Sequence, residues 1–169
     1  MRQLLTESYL ATLKKRDVVA FDVATRTGFY SMYGYGTKYF PNTEDAPKRL
    51  GDDYQQHKAF RDWVIGLIKE HGFRLVVAED VQVSKSFKAL RKLAQFQGVL
   101  MEACATMNIP ILLVGVTHLK KFACNKGTAS KDEMMKAARE RWHIDVEGDD
   151  NAGDAAHLYF YTIKKYRLQ

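Results

Sequence analysis

The stretch Asp17-Val-Val-Ala-Phe-Asp-Val-Ala-Thr-Arg-Thr-Gly-Phe-Tyr30 decides how the rest of this chain is read. Val18 to Phe21 is an apolar run too short for a helix and rich in β-branched and aromatic residues, which predicts a strand buried on both faces. The run stops at a carboxylate, Asp22. Thr25 to Gly28 are then expected to turn the chain into a second strand, Phe29 to Tyr33. A charge at the tip of a buried strand costs several kcal/mol, roughly 2 or more, when left alone. A cation, hydrogen bonds or a metal ion is therefore implied beside Asp22.

Outward from that strand the pattern extends in both directions. Gly34-Tyr35-Gly36 separates Phe29–Tyr33 from a third short segment, Thr37–Phe40, which predicts a three-stranded antiparallel meander. Pro41 to Gly51 reads as a polar loop. Asp52 or Asp53 caps a helix whose Phe60, Val64, Leu67 and Ile68 share a face and which Gly72 stops. Leu75 to Ala78 then repeats the logic of the first strand and ends on a second acid, Glu79. Ser84 or Ser86 opens a long helix with Leu90, Leu93, Phe96, Leu100, Ala103 and Met107 at helical spacing, closing near Asn108. Ile109–Val114 is the next buried strand, Thr117–Ala123 a short helix, and Ser130 caps a helix from Lys131 to about Trp142. Gly148-Asp-Asp-Asn opens a last helix that carries Asp154, His157, Leu158 and Tyr161 into the basic run Lys164-Lys165-Tyr166-Arg167.

The expected fold class is α/β: one domain over residues 1–169, with three antiparallel strands followed by two parallel ones alternating with helices. Residues 1–16 form an extension with Leu4, Leu5, Tyr9, Leu10 and Leu13 on one face. It reads as a packing or dimer arm, or, through Lys14-Lys15-Arg16, as an element touching nucleic acid.

Twenty-six Lys and Arg against twenty Asp and Glu leave a net charge of +6, and the sequence pI is about 9.2. That balance favours a polyanionic partner, although solvated lysine faces give the same number. No run of about 18 apolar residues suggests a membrane span, and Met1-Arg-Gln-Leu-Leu-Thr-Glu lacks the apolar core of a signal peptide. A cytoplasmic location is expected. Cys104 and Cys124 match neither a disulfide framework nor a metal spacing and read as small core residues. Trp63 and Trp142 read as core, and His118 and His143 as structural.

Crossover connections put the Asp17–Phe21 and Leu75–Ala78 strands parallel in one sheet; as neighbours they would set Asp22 and Glu79 side by side. Two such carboxylates repel unless a divalent cation binds between them, and hard oxygen ligands suit Mg²⁺ or Mn²⁺. Asp150, Asp154 and His157 fall on one face of the last helix, with Asn151 on an adjoining stripe. The plainer alternative makes each acid a strand-end or capping group, with Asp149 and Asp150 as caps and Asp22 paired to Arg26.

Five segments taken together resemble the RuvC-type Holliday junction resolvases in order and spacing. They are Ala20-Phe-Asp-Val-Ala-Thr-Arg-Thr-Gly-Phe29, Val76-Val-Ala-Glu79, Leu93-Ala-Gln-Phe-Gln-Gly-Val99, His118-Leu-Lys-Lys-Phe-Ala-Cys-Asn-Lys-Gly-Thr-Ala-Ser-Lys131 and Asp154-Ala-Ala-His157. The resemblance covers about Asp17 to Tyr161. It implies an RNase H-like fold with a five-stranded mixed sheet flanked by helices, and a homodimer acting on four-way or branched DNA. It also implies two Mg²⁺ ions, for which Mn²⁺ would substitute, on Asp22, Glu79 and Asp154. Lys120 and Lys131 match the family's active-site lysines, with Lys121 the adjacent alternative, and DNA contacts fall to Arg26, Lys120, Lys121, Lys126 and Lys131. Where the family has an acid or histidine three residues before its last aspartate, this chain has Asn151, with Asp150 one step earlier. Either could be the fourth ligand. Val23-Ala24 replaces the family's Pro-Gly, Phe87 or Val83 stands where junction-probing residues are expected, and His157 either supports the acids or positions a water beside them, or is a partly buried histidine with a structural hydrogen bond.

The expected activity is metal-dependent, symmetric nicking of four-way DNA junctions. A flap, fork or RNA–DNA hybrid nuclease on the same fold is the rival, and a catalytically inactive junction-binding protein is a third reading motivated by Asn151. Asp22-Val-Ala-Thr-Arg-Thr-Gly28 also resembles the phosphate loop of sugar-kinase and actin-like ATPases, but the second phosphate loop that such enzymes need is missing from this sequence.

Overall fold

In the computed structural model, which describes residues 5–42, 54–81, 86–145 and 148–169, the first apolar run is the middle strand of a five-stranded sheet. In chain order the elements are α1 (Glu7–Leu10), β1 (Val18–Asp22), β2 (Arg26–Ser31), β3 (Gly34–Tyr39), α2 (Tyr54–His71), β4 (Leu75–Glu79), α3 (Phe87–Thr106), β5 (Ile111–Val114), α4 (Val116–Cys124), α5 (Lys131–Trp142) and α6 (Asp150–Tyr166). The strand order is β3-β2-β1-β4-β5. β1 pairs antiparallel with β2 and parallel with β4, while β2–β3 is antiparallel and β4–β5 parallel. This is the mixed sheet expected from the sequence.

Each central strand feeds two cores because successive side chains leave a strand on opposite faces. Val18, Ala20, Leu75 and Val77 face one core together with Leu119 of α4, Met134 of α5, and Leu158 and Tyr159 of α6. Val19, Phe21, Val76 and Ala78 face the other with Phe60 and Val64 of α2 and Phe96 and Leu100 of α3. Burying a side chain such as Phe21 stabilises by about 2 to 3 kcal/mol. Trp63 packs edge-on against Phe21 and Phe29, with centroids 5.6 Å apart in each pair. Cys104 is buried, and burial pushes its thiol up to about 12.

The expected stops and caps recur at Gly72 (φ 67°), at Ser86, whose hydroxyl accepts from Ala89 N, and at Ser130, which forms a reciprocal capping box with Glu133. Asp149 caps α6 by accepting from Ala152 N at 3.2 Å. The Asp52 or Asp53 cap, Ser84, Val83 and Leu4 lie outside the described residues.

Three boundaries differ from the sequence reading. Strand β2 starts at Arg26, so Thr27 and Gly28 belong to the ladder rather than to a turn; Thr27 is buried, with its hydroxyl donating to Ala24 O at 2.6 Å. The hairpin turn falls at Met32–Tyr33, between the paired residues Ser31 and Gly34, and both glycines read as a turn lie within β3. β5 begins at Ile111, later than Ile109. Among the described residues the extension carries the short helix α1, and it packs on its own chain. Tyr9 donates its hydroxyl to Arg74 O at 2.8 Å, and Leu13 is buried in the first core. Among the described residues no helix is long and apolar enough to cross a membrane.

Candidate active site

The parallel register places Phe21 beside Ala78, so the next residue on each strand, Asp22 and Glu79, emerges at the same end of the sheet. Segments on each side fix that end. Asp80 N donates to Val114 O at 2.9 Å, and Gln97 of α3 holds the following residue by accepting from Val81 N at 2.8 Å. α6 lies across β1 and β2 with its first turn at this edge.

Asp22, Glu79, Asp150, Asn151 and Asp154 converge on one cavity of about 340 Å³, with Lys120 of α4 and Lys131 of α5 on its walls. Val116, Leu119 and Met134 complete its lining. Three larger clefts among the described residues, of about 520, 480 and 440 Å³, contain none of these acids. The charge chemistry singles out the smaller one.

Burial is the main force raising the carboxyl groups. It pushes Glu79 up to about 7, helped by repulsion from Asp154 and opposed by Lys120. Asp154 rises to about 6 for the same first reason, with Asp150 adding repulsion and Lys131 and Lys120 opposing. Asp22 is raised well above the ordinary carboxylate range by desolvation and by Asp154, Glu79 and Asp150. Lys131 forms an ion pair with Asp150, and that hydrogen bond raises the lysine's own pKa. Two lysines do not neutralise four acids.

Such an excess of hard, partly desolvated oxygen donors fits a divalent cation in donor type. Among the described residues, however, no three acidic, histidine or cysteine side chains form a ready-made ion-binding group. Asp150 is occupied by Lys131, so recruiting it would require that pair to open.

The remaining candidates lie elsewhere. Arg26 stacks over Tyr39 at 4.5 Å rather than pairing with Asp22, as the alternative reading expected. Lys126 pairs with Glu133, and Lys121 is exposed on α4. His157 is fully buried, accepting from Trp142 Nε1 at 2.9 Å through Nδ1, while Nε2 lies 2.8 Å from Met134 O. Neither nitrogen is directed at an acid. Trp142 stacks on Phe160 at 4.2 Å, and Phe87 is 79% exposed.

Sequence reasoning passed over Gly28, Thr37 and Gln97 as site-building residues. Thr37 donates to the cap residue Asp149 at 2.5 Å, and a Cβ on Gly28 would stand 2.0 Å from Asn151 O. Strand spacing predicts neither, because both depend on where α6 crosses the sheet.

No family model matches the chain. The crossover junction endodeoxyribonuclease RuvC of Natranaerobius thermophilus is 32% identical over 127 residues, 75% of this chain and 74% of that protein. The protein of the same name from Nitratidesulfovibrio vulgaris is 27% identical over 124 residues, 70% of each chain. Among solved structures, Thermus thermophilus RuvC in complex with a Holliday junction substrate superposes with a TM-score of 0.70 at 14% identity, covering 89% of this chain and 93% of that one. The yeast mitochondrial Holliday junction resolvase matches with a TM-score of 0.53 at 12% identity, over 94% and 85%. These structural likenesses establish the fold, and the sequence match goes further.

Proposed function

The chain belongs to the RuvC family of crossover junction endodeoxyribonucleases, and we propose that it is a Holliday junction resolvase: an endonuclease that nicks four-way DNA junctions symmetrically. The observation that carries the reading is the convergence of Asp22, Glu79 and Asp154 from β1, β4 and α6 on one cavity, in a chain 32% identical to a protein of that name. Residues 1–169 act as a single RNase H-like nuclease domain.

Asp22, Glu79 and Asp154 would hold Mg²⁺, two ions per site with Mn²⁺ as substitute, and Asp150 or Asn151 would complete the set. Bound there, the ions would supply Lewis-acid stabilisation of the scissile phosphate and lower the pKa of a bound water. The chain's own groups do the rest. Lys120 and Lys131, on the walls of the cavity, meet the phosphate's charge as it enters, and Lys131 exchanges Asp150 for a phosphate oxygen. Arg26, Lys121 and Lys126 contact backbone phosphates farther out, so binding follows junction shape and is strongly salt-dependent.

Paired nicks require two active sites, hence a symmetric dimer. The outer face of α3 supports this, since Ala94, Gly98, Met101 and Ala105 are exposed along it. A cytoplasmic location accords with the reading.

The test is cleavage of a synthetic four-way junction, beside a fork and a linear duplex, with Mg²⁺ or EDTA. Paired symmetric nicks that EDTA abolishes support the resolvase. Equal cutting of the fork assigns a general branch nuclease, and tight binding without cleavage in Mg²⁺ or Mn²⁺ assigns a junction-binding protein that has lost catalysis at Asn151.

A further inference from the structure

Three residues at one level of the sheet, on three successive strands, meet the first turn of α6. Asp22 of β1 pairs with Gly28 of β2, and Gly28 pairs with Thr37 of β3. At the outer end of this row the Thr37 hydroxyl donates to Asp149 Oδ1 at 2.5 Å, and the same oxygen accepts from Ala152 N at 3.2 Å to cap the helix. In the middle, the helix backbone sits directly on Gly28: an added Cβ would lie 2.0 Å from Asn151 O, 2.2 Å from Asn151 C and 2.8 Å from Ala152 N. Those obstacles are main-chain atoms, so a side chain there must displace the helix and cannot be absorbed by a rotamer change. At the inner end stands Asp22, which lines one cavity with Asp150, Asn151 and Asp154 of the same helix.

We infer that the row Asp22–Gly28–Thr37 seats the N-terminus of α6 on the sheet and thereby sets where Asp150, Asn151 and Asp154 stand relative to Asp22, making Gly28 and Thr37 positioning residues of the site. Thr37 fixes the helix through its cap, and Gly28 sets the height at which the helix crosses β2. Neither residue lines the acidic cavity. Their influence on the acids passes through α6. The inference rests on the metal-dependent reading above for its consequence in catalysis, while the seating itself does not depend on that reading.

The experiment compares the full chain with Thr37→Val, Thr37→Ser and Gly28→Ala by three measurements without DNA: amide exchange along α6, Mn²⁺ binding followed by its paramagnetic resonance, and thermal unfolding. Thr37→Val keeps the side chain's shape and removes only the hydroxyl. It is expected to speed exchange at Ala152 and Gly153 roughly tenfold, the worth of a charge-assisted hydrogen bond, with little change at Tyr159 to Ile163. Mn²⁺ affinity is expected to fall roughly tenfold, as when an outer partner of a ligand is lost, and Thr37→Ser restores both. Gly28→Ala should weaken Mn²⁺ further; if it fails to fold, the Thr37 pair decides alone. Unchanged first-turn exchange in Thr37→Val, or acceleration spread evenly along α6 in step with a lower melting temperature, overturns the inference. A wild-type chain that binds no Mn²⁺ overturns the metal reading instead, and exchange still decides whether the row seats the helix.

Discussion

Lys131 and Asp150 open two different helices, α5 and α6, and their side chains form an ion pair at the cavity where the other acids converge. Asp150 is also close enough to Asp154 and Asp22 to raise both carboxyl groups. On the proposed metal reading, Asp150 rather than the Asn151 side chain that lines the same cavity is the expected fourth ligand once its pair with Lys131 opens. Asp150→Asn is expected to raise the Mg²⁺ needed for half-maximal junction cleavage about tenfold, and Asn151→Ala to leave it within about twofold. A Mg²⁺ titration of single-turnover cleavage separates them, and the opposite ranking returns the role to Asn151.

Removing the three convergent acids one at a time should abolish chemistry while sparing DNA binding. Asp22→Asn, Glu79→Gln and Asp154→Asn each keep side-chain shape and remove charge. Each is expected to slow cleavage by about a thousandfold or more, several kcal/mol of transition-state stabilisation. Junction affinity at low salt should hold or improve, because an acid facing phosphate has been neutralised. Gel-shift and cleavage assays on the same junction check both halves.

The raised carboxyl groups also make the metal-free protein pH-sensitive in an unusual direction. Glu79 titrates at about 7 when folded, against 4.5 for the ordinary group. Between those values the folded chain holds a proton that the unfolded chain has released, so stability falls as pH rises through the window. The full shift corresponds to roughly 3 kcal/mol, and Asp154 and Asp22 act in the same sense. Without divalent ions the melting temperature is expected to be higher near pH 5 than near pH 8. Asp22→Asn or Glu79→Gln should remove part of that fall, and Mg²⁺ should restore stability at pH 8. A melting temperature that climbs steadily from pH 5 to 8 in EDTA would contradict the assignment.

What the sequence disclosed and what it concealed follow from range. The strands ending in Asp22 and Glu79 were legible because a short, wholly apolar run closed by an acid has few other readings. Ser86, Ser130 and Gly72 were legible as helix ends because capping is decided within a few residues. The β2 boundary was misplaced because Gly28 carries a turn signal locally, whereas its lack of a side chain serves a helix more than a hundred residues later. Thr37 was invisible for the same reason, since its partner Asp149 is 112 positions away. The Lys131–Asp150 pair likewise joins two helix starts whose spacing in the chain reveals nothing of their approach.

His157 illustrates the same limit from the other side, since its spacing on α6 pointed toward the acids and its hydrogen bonds point away. Trp142 Nε1 can only donate, so Nδ1 of His157 must accept, and the proton of the neutral ring sits on Nε2 and donates to Met134 O. Burial lowers the ring's pKa, which keeps it neutral and this tautomer in place. The ring therefore fastens α6 to α5, the helix that carries Lys131. His157→Ala removes two hydrogen bonds, leaves the Trp142 indole N–H without a partner, and opens a void. The expected cost is about 2 to 4 kcal/mol, a drop of roughly 5 to 15 °C in melting temperature for a chain of this size. At a temperature where the variant is folded, its Mg²⁺ requirement for cleavage should match the wild type. An unchanged melting temperature with a tenfold higher Mg²⁺ requirement would instead place His157 among the groups that tune the acids.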